Sequence, residues 1–286
     1  MIRKGGAKRI MKTLLIGDLH LMAGLILPLV ETHTENIAID HIILTGDYTD
    51  QWGQNNNPSL YFKDLQFLYD WKTKKESQGI KVTCLLGNHD IPYLIKKPVH
   101  YSLLWTKNQL RVRELLLKLR PQLSFYSDEF LISHGGYLGD YQVEDWHLEP
   151  LPDNFCNYNI NHYLWTQLRS IVQNAGYCRG GTRQYGSPVW ADAIEEFSHF
   201  PSKNYLRQCV GHRPVPKITT FTQDNAELIA IDTFSLTPTM FWPYYHPRSA
   251  TSGVTILENM KNTVIPIPEW NELPENTYIR YFEETE

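Results

Sequence analysis

The sequence predicts an α/β fold built on parallel strands, and three observations carry that expectation. Short apolar runs of four to six residues, rich in Ile, Val, Leu and Thr, end again and again in a polar cluster; such runs are characteristic of strands buried on both faces. Helical stretches such as Leu60–Lys75 and Gln109–Leu119 lie between the strands, and segments of about 24 to 35 residues between the first three runs give the rhythm of a parallel sheet. Glycine stands directly before the polar residue four times, at Gly17, Gly46, Gly87 and Gly211. There it lets the backbone turn sharply and come close to a bound group.

Taken in chain order, TLLIG runs into Asp18-Leu19-His20, IILTG into Asp47, and VTCLLG into Asn88-His89-Asp90. FLIS precedes His134-Gly135-Gly136, LRQCVG precedes His212, and ELIAI precedes Asp232. Open α/β sheets bind their ligands beyond the C-terminal ends of neighbouring strands, so these clusters are expected to form one site. From Tyr137 to about Ser187 the rhythm breaks into an aromatic-rich stretch holding the Gly-rich run from Cys178 to Arg183. Linkers are poor in aromatics, so this stretch reads as an insertion over the strand ends, partly helical across Ile160–Val172. The whole chain, 1–286, reads as a single domain with that cap at about 137–187 and a basic arm at 1–10 that is expected to be flexible. The loop Gln51–Pro58 is expected to be exposed, and the Pro- and Glu-rich tail from Pro266 to pack along the surface.

Composition narrows the function classes. With 286 residues, 42% of them hydrophobic and 20% charged, the chain has ordinary globular usage, which excludes a disordered tail protein or a collagen-like fibre. A net charge of -4 argues against a nucleic-acid binder that works by bulk positive charge. The four cysteines (Cys84, Cys156, Cys178, Cys209) show neither a CxxC pair nor zinc spacing and read as reduced, buried residues, in preference to a Cys156–Cys178 disulfide. No window is apolar enough for a membrane span, and the LLIG run before Asp18 is too short for a secretory signal. The expected location is the cytoplasm.

The strand ends together offer Asp18, His20, Asp47, Asp50, Asn88, His89, His134 and His212. Oxygen and imidazole donors without thiolate suit Mn²⁺, Fe or Zn²⁺. Asp18 and His20, two residues apart on a turn, can reach one ion, and Asp47 on the adjacent strand is placed to bridge to a second. Two such ions would leave net positive charge beside two carboxylates, a pocket that attracts phosphate and acidifies water. Any one of these residues alone would more often be a turn cap or a satisfied polar group; their order and spacing argue otherwise.

The motifs carry a resemblance. Gly17-Asp18-Leu19-His20, Gly46-Asp47-Tyr48-Thr49-Asp50, Gly87-Asn88-His89-Asp90, His134-Gly135-Gly136 and Gly211-His212 occur in the order found in the calcineurin-like metallophosphoesterase superfamily. They look most like its phosphoprotein-phosphatase branch, with blocks GDxHG, GDxxDRG, GNHE, HGG and GH. Pro214 stands where the other main branch has a second His. The resemblance implies a four-layer α/β/β/α sandwich and two divalent metal ions, Mn²⁺ first and Fe or Zn²⁺ next. Asp18, His20 and Asp47 would hold one ion; Asp47, Asn88, His134 and His212 would hold the other. A hydroxide would attack phosphorus in line while His89 protonates the leaving oxygen, with Asp50 fixing the tautomer of its ring.

Two departures stand out. Leu21 follows His20 where the block ends in Gly, and Gln51 replaces the Arg that grips a phosphate oxygen. A replacement guanidinium is expected from Arg213 first, then Arg179 and Arg183 in the Gly-rich run. The leading expectation is a phosphomonoesterase acting on a phosphoprotein or a small phosphorylated molecule. Against it stand a nucleotide phosphodiesterase or dinucleoside polyphosphate hydrolase, and a non-catalytic metal-binding scaffold. Trp146, Trp165 and Trp190 read chiefly as core of the insertion rather than as stacking platforms for a base. The partner is therefore a phosphorylated substrate, with no membrane, and the oligomeric state is left open.

Overall fold

The computed structural model describes residues 11–146, 148, 157–239 and 245–283; the basic arm at 1–10 and Cys156 lie outside them. Two five-stranded sheets form the centre. In the first, β1 (Thr13–Ile16), β2 (His41–Leu44) and β3 (Lys81–Cys84) run parallel. The second contains β4 (Ser124–Ser127), β5 (Phe130–Ser133), β6 (Arg207–Val210), β7 (Thr219–Gln223) and β8 (Ala226–Ala230), in the order β4-β5-β6-β8-β7. Here β5, β6 and β8 are parallel, with antiparallel strands at both edges. A short pair, β9 (Leu236–Pro238) and β10 (Tyr245–Pro247), stands apart. The chain then returns to the first sheet through β11 (Gly253–Glu258) and β12 (Lys261–Pro266), giving the order β12-β11-β1-β2-β3.

The strand runs are apolar throughout because both faces of each sheet are buried. Leu15, Ile43 and Leu85 point toward the second sheet and meet Ile132, Cys209 and Ile229 in the dry layer between them. Their neighbours Leu14, Ile16, Ile42, Leu44 and Cys84 point the other way, into a core shared with α1 (Ala23–Thr34), α2 (Pro58–Ser77), the single turn α3 (Ile91–Leu94) and α4 (Thr106–Lys118). Helix α2 starts where Asn57 Oδ1 accepts the Leu60 N–H, with Pro58 in the first turn. The outer face of the second sheet carries Val210, Leu228 and Ala230, covered by Leu138, Ala191, Ala193 and Phe197. The order of layers is that of the sandwich, and turns at 187–200 take the place of a helix in the last one.

The expected helix of the insertion is α5 (Asn157–Gln173), whose Ile160, Leu164, Leu168 and Ile171 join the helix-side core. Trp146 is buried there as expected, whereas Trp165 and Trp190 only lean on the core with one face. The tail corrects its expectation. It folds into α6 (Pro268–Glu272) and α7 (Glu275–Glu283) and buries Trp270, Tyr278 and Phe282 rather than lying on the surface. Burial of three aromatic rings accounts for an acidic segment staying docked. Cys84 and Cys209 are buried free thiols; Cys178 is free but exposed, and its Sγ donates to Glu196 Oε1.

Candidate functional site

Parallel strands bring their C-terminal ends to one edge, and the polar residues after β1, β2, β3, β5 and β6 converge there. The turns that carry them are tight. His20, Asp47, Asp50 and His212 all have positive φ, between 40° and 64°, a conformation that costs a non-glycine residue on the order of 1 kcal/mol. Such strain persists where the surroundings fix it. Asp90 does so for the β2 loop, its carboxylate accepting the N–H groups of Asp47, Tyr48, Thr49 and Gly87 at 2.9–3.2 Å. Burial and the neighbouring Asp47 charge push that carboxyl up to about 7. Gly87 is required for close approach, since a Cβ there would run into Asp47 Oδ1.

The donors form two groups that share one carboxylate: Asp18, His20 and Asp47, and Asp47, His134 and His212. His20 Nδ1 is 2.7 Å from the Asp50 carbonyl and His134 Nδ1 is 2.9 Å from the Thr45 carbonyl. A carbonyl only accepts, so both rings donate from Nδ1 and turn an Nε2 lone pair inward. His20 Nε2 then lies 3.7 Å from Asp47 Oδ2 and 4.0 Å from Asp18 Oδ2. Around His134 Nε2 stand Asn88 Oδ1 (3.0 Å), His212 Nδ1 (3.1 Å) and Asp47 Oδ2 (3.3 Å). One shared proton satisfies a single contact in such a cluster, whereas a divalent cation satisfies all of them, so the residues fit a metal centre.

The electrostatics agree. Burial opposes charge on His134, but Asp47 and Asp18 outweigh it and push the ring up to about 10. Burial likewise opposes charge on Asp47, yet His134, His89 and His20 hold it well below the usual carboxylate range. Burial and the Asp232 charge raise Asp18. Burial, His134 and Arg179 hold His212 well below its ordinary value. The cluster as a whole draws in positive charge.

A family description, calcineurin-like phosphoesterase, matches residues 11–227, well over half of the chain. The chain belongs to the calcineurin-like phosphoesterase family. It is accordingly a phosphoric ester hydrolase of a metal-dependent family. No curated protein sequence matches it. Among solved structures, it is similar to a cold-active protein-tyrosine phosphatase of a psychrophilic Shewanella, with 15% identity, 90% of this chain and 80% of that one covered, and a TM-score of 0.54. It is also similar to a protein serine/threonine phosphatase from Saccharomyces cerevisiae, with 13% identity, coverage of 86% and 72%, and a TM-score of 0.46. At 15% identity the likeness to the first of these is one of fold.

Beside the donors of this phosphoesterase, His89 Nδ1 lies 3.1 Å from Asp50 Oδ2. Asp50 Oδ1 accepts from Tyr61 (2.8 Å) and Tyr93 (2.5 Å). Burial and the Asp50 charge raise both phenols, so they remain donors. Burial lowers His89, but Asp47 and Asp50 raise it more, and the net shift favours the imidazolium. Neither tyrosine carries a sequence signal, because each sits in an ordinary helical run. Asp232 is buried in the same cluster, pushed up to about 6 chiefly by burial, with Oδ1 unpartnered.

A cavity of about 590 Å³ opens over these groups, lined by His20, Asp47, Asp50, Asn88, His89 and His212 among others. Arg179 and Arg213 line it too. Arg179 Nη2 lies 3.1 Å from His212 Nε2, and Arg213 Nη2 donates to Glu195 at 3.2 Å. Asp192, fully buried, faces both guanidiniums, 3.8 Å from Arg179 Nη1 and 3.4 Å from Arg213 Nε. Arg183 instead bonds Asn174 and takes no part in the lining; its backbone accepts from the Tyr177 amide and donates to the Ala175 carbonyl. Arg248, overlooked in the sequence, does line the cavity, from a loop far along the chain. Gln51 is buried and holds the His20 turn, donating to the His20 carbonyl at 3.2 Å. No helix among the described residues is long and apolar enough to cross a membrane.

Proposed function

We propose that this phosphoesterase is a dinuclear phosphomonoesterase of the phosphoprotein-phosphatase branch, acting on a phosphoprotein or a small phosphorylated molecule. One observation carries the reading: two donor groups meet at Asp47, with the His89–Asp50 pair at their side. Asp18, His20 and Asp47 would hold one divalent ion, and Asp47, Asn88, His134 and His212 the other, with Mn²⁺ the first choice for such donors. When bound, the ions supply Lewis acidity toward phosphoryl oxygens and a water acidified to near neutral pH.

The chain's own residues do the rest. His89, outside both donor groups, gives its proton to the leaving oxygen while Asp50 holds Nδ1. Arg179 and Arg213 replace the guanidinium missing at Gln51 and bind phosphate oxygens, kept at the cavity by Asp192. The stretch at about 137–187 acts as a cap of the single domain, bringing Arg179 to the cavity.

The test is hydrolysis of a chromogenic phosphomonoester and its matching bis-ester by metal-stripped protein with Mn²⁺ restored. Mn²⁺-dependent turnover favouring the monoester is expected. Preference for the diester would replace this reading with a phosphodiesterase, and a protein that takes up no metal would replace it with a scaffold.

A further inference from the structure

Resting on the phosphomonoesterase reading, we propose that the catalytic cavity continues into a subsite for an aromatic leaving group that carries a negative charge at its far end. A second cavity of about 460 Å³, apolar in nearly all of its lining, lies beside the first. The two share Tyr101 and Trp190 as walls. The Tyr101 ring is 4.5 Å from that of His89 between centroids, and the Trp190 ring is 5.8 Å from that of His212. An acid must face the oxygen that it protonates, so the departing carbon skeleton lies on the His89 side of the phosphoryl group. The groove therefore begins one ring away from the bond that breaks.

Its lining selects the occupant. Ile95, Val99, Trp165 and Val172 supply apolar surface, with Tyr101 and Gln173 the uncharged polar residues of the lining, and on such a surface a flat ring gains from leaving water and from edge or face contact with tryptophan. Val99 is 38% exposed, a patch that such a ring would cover. Lys97 Nζ and the Arg169 guanidinium stand 5.5 and 5.1 Å from the Trp165 ring centroid. No carboxylate lines the groove among the described residues. Two cations without an acid favour an anionic group just beyond the ring and disfavour a cationic one.

The test titrates Mn²⁺-treated full-length protein with phenylphosphonate, biphenyl-4-ylphosphonate and 4′-carboxybiphenyl-4-ylphosphonate by calorimetry. The second ring is expected to tighten binding at least about tenfold, and the carboxylate about threefold more, the latter gain disappearing in Arg169→Gln. Val99→Asp, which keeps the fold's packing, and Trp165→Ala should each erase the gain from the second ring and leave phenylphosphonate binding unchanged. Equal affinities for the first two ligands, or a gain that survives both variants, would overturn the subsite. The matching phosphate esters are assayed alongside. Absence of turnover for all three would overturn the phosphomonoesterase reading, while the binding ratios still decide the groove.

Discussion

His89 Nδ1 stands 3.1 Å from Asp50 Oδ2, and the other oxygen of that carboxylate is taken by Tyr61 and Tyr93. A carboxylate held at both oxygens cannot rotate away, so the imidazole keeps one orientation and one protonated face. His89→Ala should lower turnover by roughly 10²–10⁴-fold. Bound metal should be unchanged, since His89 belongs to neither donor group. The loss should be greater for alkyl esters than for a p-nitrophenyl ester, whose leaving oxygen scarcely needs a proton. Asp50→Asn should follow the same pattern more weakly. Undiminished activity of His89→Ala on an alkyl ester would remove that ring from the reaction.

A methyl group at position 87 tests the backbone beneath the donors. A Cβ on Gly87 collides with Asp47 Oδ1 and comes within 2.5 Å of the Asp47 nitrogen. Neither backbone nor the shared carboxylate can yield without moving both donor groups. Gly87→Ala should therefore weaken metal binding at least about tenfold, read by elemental analysis after dialysis, in a protein that still unfolds cooperatively. Normal metal content would show that the loop gives way elsewhere.

What the sequence made legible follows from what local chemistry encodes. Donors set at strand ends by Gly-polar punctuation, such as Asp18 after Gly17 and His212 after Gly211, could be read because turn, spacing and donor type coincide in a few residues. Tyr61 and Tyr93 could not, since their role exists only where α2 and α3 meet above Asp50. Arg248 reaches the cavity through long-range packing that no local pattern announces. Arg183 shows the converse: it looks equivalent to Arg179 in the same loop, yet a bond to Asn174 takes it elsewhere. The docking of the tail is hidden in its composition because charge outweighs aromatics there, although Trp270, Tyr278 and Phe282 are all buried.

Asp192 supplies a separate test of the arginine pair. Its Oδ1 is occupied by the Ile194 and Glu195 amides, which leaves Oδ2 to face Arg179 and Arg213. Asp192→Asn keeps the shape and removes the charge that holds the two guanidiniums together. KM should rise about tenfold with kcat changed much less, because substrate positioning is lost while the acid is untouched. Metal content should stay constant. An unchanged KM would mean that the guanidiniums are held without Asp192.

His41 is expected to contribute to acid lability away from the site. It is fully buried on β2, with Nε2 2.9 Å from Thr83 Oγ1 and its ring 4.8 Å from that of Phe125. Burial first, and the nearby Lys81 charge second, lower its ring to about 4 from an ordinary 6.5. The folded state therefore binds the proton less readily than the unfolded chain. Stability from this residue is complete above about pH 6.5 and is lost as pH falls toward 4, by at most roughly 3 kcal/mol. His41→Gln retains a hydrogen-bonding side chain but takes up no proton. Its melting temperature should be lower at neutral pH through imperfect packing, yet fall less steeply between pH 6.5 and 4 than that of the parent protein. Parallel curves for the two proteins across that window would show that the ring does not control the acid transition.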